Sequence, residues 1–310
     1  MHAFLVDLRR ALCYNILRLV VISRMIYLLP LKQRCGWGDI EILFGTGVNI
    51  MYPVLFTIGS FEIRAWGIMV SLGVLAGTLV ASKLAAKRGI SADTIFNYVL
   101  YAFISGLLGA RIWEVVFSWQ NFADNPMAAL KFWSGGLSIQ GAVAGGLIFT
   151  LWFVKRNRLD FWTFADILAP GLVLGQAIGR LGCFLNGDAY GIPTDSWLGV
   201  VYKPGTPAYD TYGAVPLVPA ELLEGAGDLL IFALLLVLFI NRRHFNGLVA
   251  LVYFVTYSLL RFILEFWRGD SLMIGGLLKA AQISSLVIAA VAVCLILVRA
   301  RSQKQVRKYP

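Results

Sequence analysis

Long apolar stretches, separated by short polar segments, dominate the chain from residue 66 onward. A helix that crosses a bilayer needs about 20 predominantly apolar residues. By this measure the pattern predicts spanning helices at 66–86, 95–117, 136–154, 161–182, 222–240, 247–267 and 275–298. We therefore expect an all-α membrane protein with about seven transmembrane helices.

Positive charge follows every second span. Lys and Arg side chains cluster after the first, third, fifth and seventh spans, at 83–88, 155–158, 242–243 and 299–308. Cytoplasmic loops carry such an excess, so we expect a cytoplasmic C-terminus with a basic tail at 299–310 and an N-terminus outside, counted from Met51. The long segment between the fourth and fifth spans, rich in Gly, Pro, Tyr and Trp, then forms an outer arm at 183–217.

The first fifty residues fit this pattern less well. Arg18 and Arg24 interrupt the apolar stretch 11–31, and a charge near the bilayer centre costs roughly 2.5 to 3.5 kcal/mol. The stretch also lacks the apolar core and small-residue cleavage site of a signal peptide. We interpret residues 1–50 as an N-terminal extension, either an interfacial segment or sequence upstream of the true start, for which Met51 is the candidate.

Composition agrees with a membrane protein and argues against several functions. Hydrophobic residues make up 59% of the 310 residues and charged residues 14%, against roughly 25% charged residues in soluble domains. The net charge of +10 lies mostly in short loops, so it sets orientation and argues against nucleic-acid binding. The four cysteines form no C-x-x-C pair and there are two histidines, so we expect neither a metal centre nor a disulfide framework.

Three arginines depart from the loop pattern, because Arg111, Arg180 and Arg261 lie in or at the end of predicted spans. Ionised side chains at such depth are costly and by default mark a functional site. In the sixth span, Tyr257, Arg261 and Glu265 recur every four residues and share one helical face. Paired guanidinium groups suit phosphate oxygens, which predicts a clamp for a phospholipid headgroup. Snorkelling to the headgroups or a structural ion pair is the alternative.

Two glycine-rich segments accompany these arginines. The segment 175–191 holds five glycines together with the polar residues Arg180, Asn186, Asp188 and Tyr190. Irregular backbone at membrane depth must be buried in protein or reached by water, so we expect a polar cavity there. Small-residue helix packing explains the glycines but not the polar side chains. A second segment, 134–146, opens the third span and places Gln140 at its outer end.

Five carboxylates lie near predicted helix starts, where the helix dipole favours negative charge. These are Asp93, Asp166, Glu221, Glu224 and Asp228. We interpret them as helix caps, with Glu224 as the candidate exception.

Taken together, these segments resemble the prolipoprotein diacylglyceryl transferases of bacteria. The resemblance runs from Met51 to about residue 298, and it makes 51–298 the transferase domain. It is carried by the opening MYPVLFTIGSFEIRAWGIMV and by GARIWEVVF, SGGLSIQG, GRLGCFLNGDAYG and YSLLRFILEFWR, of which the last two are specific motifs. Because the family opening begins at Met51, the resemblance favours that residue as the start.

The resemblance implies a reaction and its partners. A diacylglyceryl group passes from phosphatidylglycerol to the thiol of the lipobox cysteine in a preprolipoprotein signal peptide, which gives a thioether and releases glycerol phosphate. This implies a multi-pass protein of the bacterial cytoplasmic (inner) membrane, surrounded by membrane lipids, with a periplasmic arm between helices 4 and 5. No cofactor and no metal are implied.

Roles of single residues follow from the same resemblance. Arg180 and Arg261 match the family's essential arginines, and Tyr257 and Glu265 match partner residues on the sixth helix. With Asp188, these are the expected catalytic residues. The expected substrate-binding residues are Arg180, Arg111, Gln140, Asn186, Gly191 and Cys183.

The chain departs from the family pattern at three of these positions. Gln140 stands where many members carry histidine, Cys183 where the usual signature has asparagine, and Asp188 where glutamate is frequent. Glutamine cannot act as a base, so the proton acceptor is open between Asp188, Tyr257, the substrate phosphate and water. A thiol beside an arginine is a candidate nucleophile as well as a small packing group.

Two other function classes are compatible with these residues. A homologue that binds phospholipid or lipoprotein without transferring it would keep the arginines, and only an activity measurement separates it from an enzyme. An anion transporter would use the arginines for a solute. Transporters of this kind often contain an internal repeat, and the two halves of this sequence show no convincing one.

Overall fold

The computed structural model describes residues 51–58, 61–123, 125–130, 136–241, 245–271, 273–274 and 278–308. The predictions for residues 1–50 lie outside this part of the chain. Within it, the helices are α1 (Ala65–Ala86), α2 (Ala92–Phe117), α3 (Ile139–Arg156), α4 (Phe161–Asn186), α5 (Pro207–Tyr212), α6 (Ala220–Ile240), α7 (Leu248–Leu264) and α8 (Ala280–Lys308). The fold is therefore mainly helical.

Short strands form three antiparallel pairs in the described chain. They are β1 (Val54–Ile58) with β2 (Phe61–Arg64), β3 (Val200–Val201) with β4 (Pro216–Leu217), and β5 (Met273–Ile274) with β6 (Leu278–Lys279). The first pair leads directly into α1. The second pair, together with α5, gives the predicted arm an ordered structure of its own.

Six described helices are long and apolar enough to cross a membrane, namely α1, α2, α4, α6, α7 with its continuation to Trp267, and α8. Each lies at a predicted span, which agrees with a multi-pass membrane protein. The remaining predicted span, 136–154, forms α3, whose 18 residues end in Lys155 and Arg156. At 1.5 Å per residue α3 is about 27 Å long, slightly shorter than the roughly 30 Å hydrocarbon core. The count of seven spans stays a prediction.

Polar side chains fix the ends of several helices. The Asp160 carboxylate accepts hydrogen bonds from the Thr163 backbone and hydroxyl at 2.8 and 2.6 Å, which caps α4. Although burial opposes it, these bonds lower the pKa of Asp160 and keep the cap ionised. Asp166 accepts from the backbone N–H groups of Gly247 and Ala250 at 2.7 and 2.9 Å, so it caps α7 rather than its own helix.

Two facing G-x-x-x-G motifs join α1 to α4. Gly73 and Gly77 of α1 oppose Gly175 and Gly171 of α4 in antiparallel order. A Cβ built on Gly73 would lie 2.8 Å from the carbonyl oxygen of Gly175, and one on Gly77 would lie 2.5 Å from that of Gly171. Lipid supplies no hydrophobic force between helices, so this backbone approach provides the van der Waals packing that holds the pair.

Helices α2 and α3 also pack closely through facing glycines. Gly109 of α2 lies against Gly141 and Gly145 of α3. One turn away, the Ser105 hydroxyl donates a hydrogen bond to the Gly145 carbonyl at 3.0 Å. The helical part of the chain therefore contains two closely packed helix pairs, with a groove between α1, α2 and α4.

The arm has a small core of its own. Tyr190, Tyr202 and Leu217 are buried together with Met51 and Ala208. The Tyr202 hydroxyl donates a short hydrogen bond to the buried Glu221 carboxylate at the start of α6. Burial, and then the charge of Glu221, raise the pKa of Tyr202, so the phenol stays protonated and remains a donor. This bond fastens the arm to the helix that carries Glu224.

The glycine contacts lead to a stability prediction. Gly77→Leu should push α1 away from α4 and destabilise the protein by about 1–3 kcal/mol, the usual range for overpacking. Gly146→Leu is the matched control, because a Cβ at Gly146 meets nothing within 4 Å. Thermal unfolding of both variants in detergent should show a lower midpoint for Gly77→Leu alone. Equal midpoints would contradict the packing role.

Candidate active site

Glu224 lies at the centre of the candidate site, fully buried in the first turns of α6. Its carboxylate accepts hydrogen bonds from Arg180 of α4 at 2.6 Å and from Arg261 of α7 at 3.1 Å. Arg268, which follows α7, approaches the same carboxylate at 3.5 Å. The Tyr257 hydroxyl donates to it at 3.3 Å. Side chains on α4, on α7 and just after α7 thus converge on one carboxylate of α6, and we call Glu224 with these three arginines the arginine cluster.

Further carboxylates orient two of the arginines. The Glu265 carboxylate forms an ion pair with Nη2 of Arg261 at 3.0 Å, so the predicted i,i+4 pairing on the α7 face is present. The Asp270 carboxylate accepts hydrogen bonds from Nε and Nη2 of Arg268 at 2.9 and 2.7 Å, a two-point contact. Such fork-to-carboxylate contacts fix the plane of a guanidinium group as well as its position.

The arginine cluster presents donors on one side. The side chain of Glu224 is 1% exposed, whereas those of Arg180 and Arg261 are 22% and 19% exposed. A guanidinium has five N–H donors. The ion pairs use one of them at Arg180 and two at Arg261. The carboxylate is therefore more deeply buried than the two guanidinium groups that contact it, and each guanidinium keeps N–H donors that its ion pairs do not use.

A groove of about 660 Å³ begins beside Arg180 and runs between α1, α2 and α4. Its near end, next to the arginine cluster, is lined by Trp66, Arg180 and Cys183. Its far end is lined by Ala81, Tyr98 and Leu168. Between the two ends the lining is mostly glycine and apolar side chains. A charged end and an apolar body match the two parts of a phospholipid.

The other predicted residues of the α4 signature lie within two helical turns of Arg180. Asn186 donates its amide to the Asp188 carboxylate at 2.6 Å. The backbone N–H of Asp188 in turn donates to the Cys183 carbonyl at 3.2 Å. Gly187, in the left-handed conformation with φ 71°, ends α4 between them. The structure thus places Cys183 at the near end of the groove and joins Asn186 and Asp188 to it at the end of α4.

Gly191 joins the arm to the segment after α7. Its N–H donates to the Val218 carbonyl at 2.9 Å, and the carbonyl of the preceding residue, Tyr190, accepts from the Gly269 N–H at 3.1 Å. A Cβ on Gly191 would lie 2.7 Å from the Val218 Cβ and 2.8 Å from the Trp267 carbonyl oxygen. Close backbone approach therefore accounts for a glycine here. The contact with Trp267 places Gly191 beside the segment that carries Arg268.

Arg111 makes its described contacts in the segment between α2 and α3. Its buried guanidinium donates to the carbonyls of Ala128, Ala129 and Gly136 at 2.7, 2.9 and 2.9 Å. These bonds fasten that segment to α2. Gln140 is exposed at the start of α3 and accepts a hydrogen bond from Ser138 at 2.6 Å. Substrate binding by Arg111 or Gln140 stays a prediction.

Sequence reasoning missed part of the arginine cluster. Arg268 follows Arg261 by seven residues, a helical spacing that could have placed both on one face. Glu224 was the candidate exception among the predicted caps, and it is the shared partner of three arginines. Asp228, one turn further along α6, is fully buried, and neither carboxylate oxygen has a hydrogen-bond partner among the described residues. The capping interpretation is therefore wrong for Asp228, whereas Glu224 is the exception that it allowed.

These observations define a class of protein: a multi-pass helical membrane protein with a buried arginine–carboxylate site beside an apolar groove. Residues 53–298 match the family model described as prolipoprotein diacylglyceryl transferase. Because the match covers most of the chain, the chain belongs to that family. Both the arginine cluster and the groove lie inside the matched region.

Several curated relatives carry the name phosphatidylglycerol–prolipoprotein diacylglyceryl transferase. The protein of Finegoldia magna is 36% identical over 258 residues, which cover 83% of this chain and 98% of the relative. That of Trichormus variabilis is 38% identical and covers 76% and 84% of the two chains. That of Staphylococcus aureus is 33% identical and covers 82% and 91%. The chain thus spans nearly the full length of these relatives.

The geometry of the arginine cluster leads to a second stability prediction. Glu224→Gln removes the charge shared by three arginines, and breaking a buried ion pair typically costs 3–5 kcal/mol. Glu62→Gln is the control, since its pair with Arg64 is exposed and such pairs contribute at most about 1 kcal/mol. Denaturant or thermal unfolding in detergent measures both. A Glu224→Gln protein as stable as the Glu62→Gln protein would show that Glu224 does not hold the cluster together.

Proposed function

We propose that this protein transfers the diacylglyceryl group of phosphatidylglycerol to the lipobox cysteine of preprolipoproteins, as a multi-pass enzyme of the bacterial cytoplasmic membrane. The observation that carries this proposal is the pair Arg180 and Arg261: Glu224 holds both, their side chains are partly exposed, and each keeps donors that its ion pairs do not use. The names of the curated relatives support the same reaction.

The arginines serve the leaving group in this reaction. The cysteine sulfur forms a C–S bond to the terminal glycerol carbon of the diacylglyceryl group, and the bond from that carbon to a phosphate oxygen breaks. Glycerol phosphate leaves and the thiol loses its proton. Negative charge grows on the departing oxygen, where Arg180 and Arg261 donate hydrogen bonds from fixed positions. Because the carboxylates have already oriented both groups, little reorganisation is needed during the reaction.

The hydrogen-bond directions support one of the two side chains considered as proton acceptors. Tyr257 donates its hydroxyl proton to Glu224, so it acts as a donor in the resting site. Asp188 is a carboxylate just past the end of α4, close in sequence to Cys183 of the groove lining, and Asn186 donates to one of its oxygens. These contacts support Asp188 over Tyr257. The substrate phosphate and water are the remaining acceptors in the proposal.

The proposed arrangement in the membrane follows the loop charges. In it, α3 completes a set of seven spans, the arm faces the periplasm and the basic tail 299–310 lies in the cytoplasm. The match over 53–298 supports a transferase domain at 51–298. The alternation of Lys and Arg between loops supports the orientation.

A homologue that binds lipid without transferring it is the second candidate. The specific observation in its favour is Gln140, an exposed amide where many relatives are expected to carry a histidine. An amide cannot take up a proton at neutral pH, so a mechanism that depended on that histidine would be lost. The two candidates differ in activity and not in binding.

Transfer to a lipobox peptide tests the proposal directly. Purified protein with phosphatidylglycerol should yield a thioether-linked diacylglyceryl peptide, detected by mass spectrometry. Arg261→Ala should lower the rate by about a hundredfold or more, because removing one preorganised donor typically costs 10²–10³ in rate. Arg64→Ala, at an exposed arginine, is the control and should retain the rate.

Each negative result has a defined meaning. A wild-type protein that binds phosphatidylglycerol but transfers nothing would overturn the enzyme assignment in favour of the binding homologue. A gain of transfer in Gln140→His would then locate the lost function. Equal rates for the wild type and Arg261→Ala would remove the arginine pair from the mechanism.

Cys183 provides a separate prediction. Its thiol lies at the mouth of the groove near Arg180, yet the proposed reaction takes its sulfur from the substrate. We therefore expect Cys183→Ser to retain the transfer rate within a few-fold, measured in the same assay. A loss of a hundredfold or more, with lipid binding retained, would identify Cys183 as a nucleophile instead.

A further inference from the structure

We infer that the groove beside Arg180 selects the donor lipid by the length of one acyl chain, and that Tyr98 forms the stop at its far end. The inference rests on the proposed function, because it takes the headgroup phosphate to lie at the arginine cluster. It extends that function from the headgroup to the apolar part of the donor. Three features of the groove support it: its length, its lining and the firmly held side chain at its far end.

The length of the groove follows from the helices that line it. Its lining runs from Trp66 to Ala81 on α1 and from Leu168 to Cys183 on α4, an interval of fifteen residue-to-residue steps on each helix. At 1.5 Å per residue, both intervals correspond to about 22 Å. One leaflet of the hydrocarbon core is about 15 Å thick. The groove is therefore long enough to hold one extended tail over its whole length.

The lining of the groove is selective for an apolar chain. Two of its polar side chains are already satisfied: the Thr78 hydroxyl donates to the Val74 carbonyl at 2.7 Å, and the Gln176 side-chain oxygen accepts from Tyr253 at 3.0 Å. Arg180 contributes the charge at the near end. A ligand with an anionic head and one long apolar tail satisfies both ends.

Tyr98 lies at the far end of the groove. Its side chain is 9% exposed, and its hydroxyl forms a hydrogen bond with Thr150 of α3 at 2.8 Å. Its ring packs edge-on against Phe164 and Phe153, with centroids at 4.8 and 5.2 Å, and stacks near Phe149. A ring held at both its edge and its hydroxyl cannot easily move aside. A chain that reaches Tyr98 must therefore bend or leave the groove.

The residue one turn before this stop offers a direct test. Ala102 lines the groove on α2, four residues from Tyr98 towards the near end. A larger side chain there would shorten the groove by about one helical turn, roughly 5–6 Å. Leu168, which lines the far end on α4, offers the opposite change, because its truncation to alanine adds space there.

The experiment measures transfer from a graded series of phosphatidylglycerols with matched saturated chains, competed pairwise in mixed micelles. Ala102→Leu should lower the ratio of long-chain to short-chain kcat/KM by roughly tenfold, since an overlong chain now meets a filled site. Leu168→Ala should raise that ratio. Ala290→Leu, at an exposed position on α8, is the control and should leave the ratio unchanged.

The outcomes separate this inference from the proposed function. No transfer from any donor by the wild type would contradict the proposed function itself. Transfer with a ratio that neither Ala102→Leu nor Leu168→Ala alters would overturn the acyl-length inference and leave the function intact. A uniform loss over all chain lengths in folded Ala102→Leu protein, with no shift in Leu168→Ala protein, would also overturn it. Thermal midpoints in detergent establish that the variants fold.

Discussion

Three guanidinium groups inside a membrane protein require compensating negative charge, and Glu224 supplies part of it to each of them. Its carboxylate is within 3.5 Å of side-chain nitrogens from Arg180, Arg261 and Arg268. A buried ion is stable only when paired and hydrogen-bonded. The relative positions of α4, α6 and α7 are therefore tied to one side chain, and the geometry of the candidate site follows from this constraint.

Helix α4 connects the arginine cluster to the groove. One of its faces carries Gly171 and Gly175, which bring its backbone against α1, and its last turns carry Arg180 and Cys183. The same small residues that permit the α1–α4 contact also leave the groove without bulky side chains along its floor. Packing and site are thus consequences of one run of small residues, which explains why a glycine-rich helix contributes to an electrostatic site.

The features that the sequence predicts well are those encoded within a single helix. Apolar length located six helices that are long and apolar enough to cross a membrane, and the four-residue spacing of Arg261 and Glu265 predicted an ion pair that is present. Convergence between helices is not encoded in such spacing. From the sequence, Glu224 is only the candidate exception among five carboxylates near helix starts, and its shared contacts emerge when α4 and α7 are placed beside it. From the sequence, Arg111 is a candidate ligand-binding charge. In the structure its guanidinium donates hydrogen bonds to three backbone carbonyls of the segment that follows α2.

The charge balance of the arginine cluster indicates how it would bind an anion. Three arginines face Glu224, Glu265 and Asp270, so the formal charges cancel. Attraction of an anion by net charge is therefore weak, and binding depends on N–H groups that point outward from guanidiniums already fixed in place. Such a site is stable when empty, because no arginine lacks a partner. It also favours the state with most charge on the phosphate oxygens, since fixed donors interact most strongly there. A pre-paired cluster of this kind is better suited to stabilising a departing phosphate than to holding a lipid tightly before reaction.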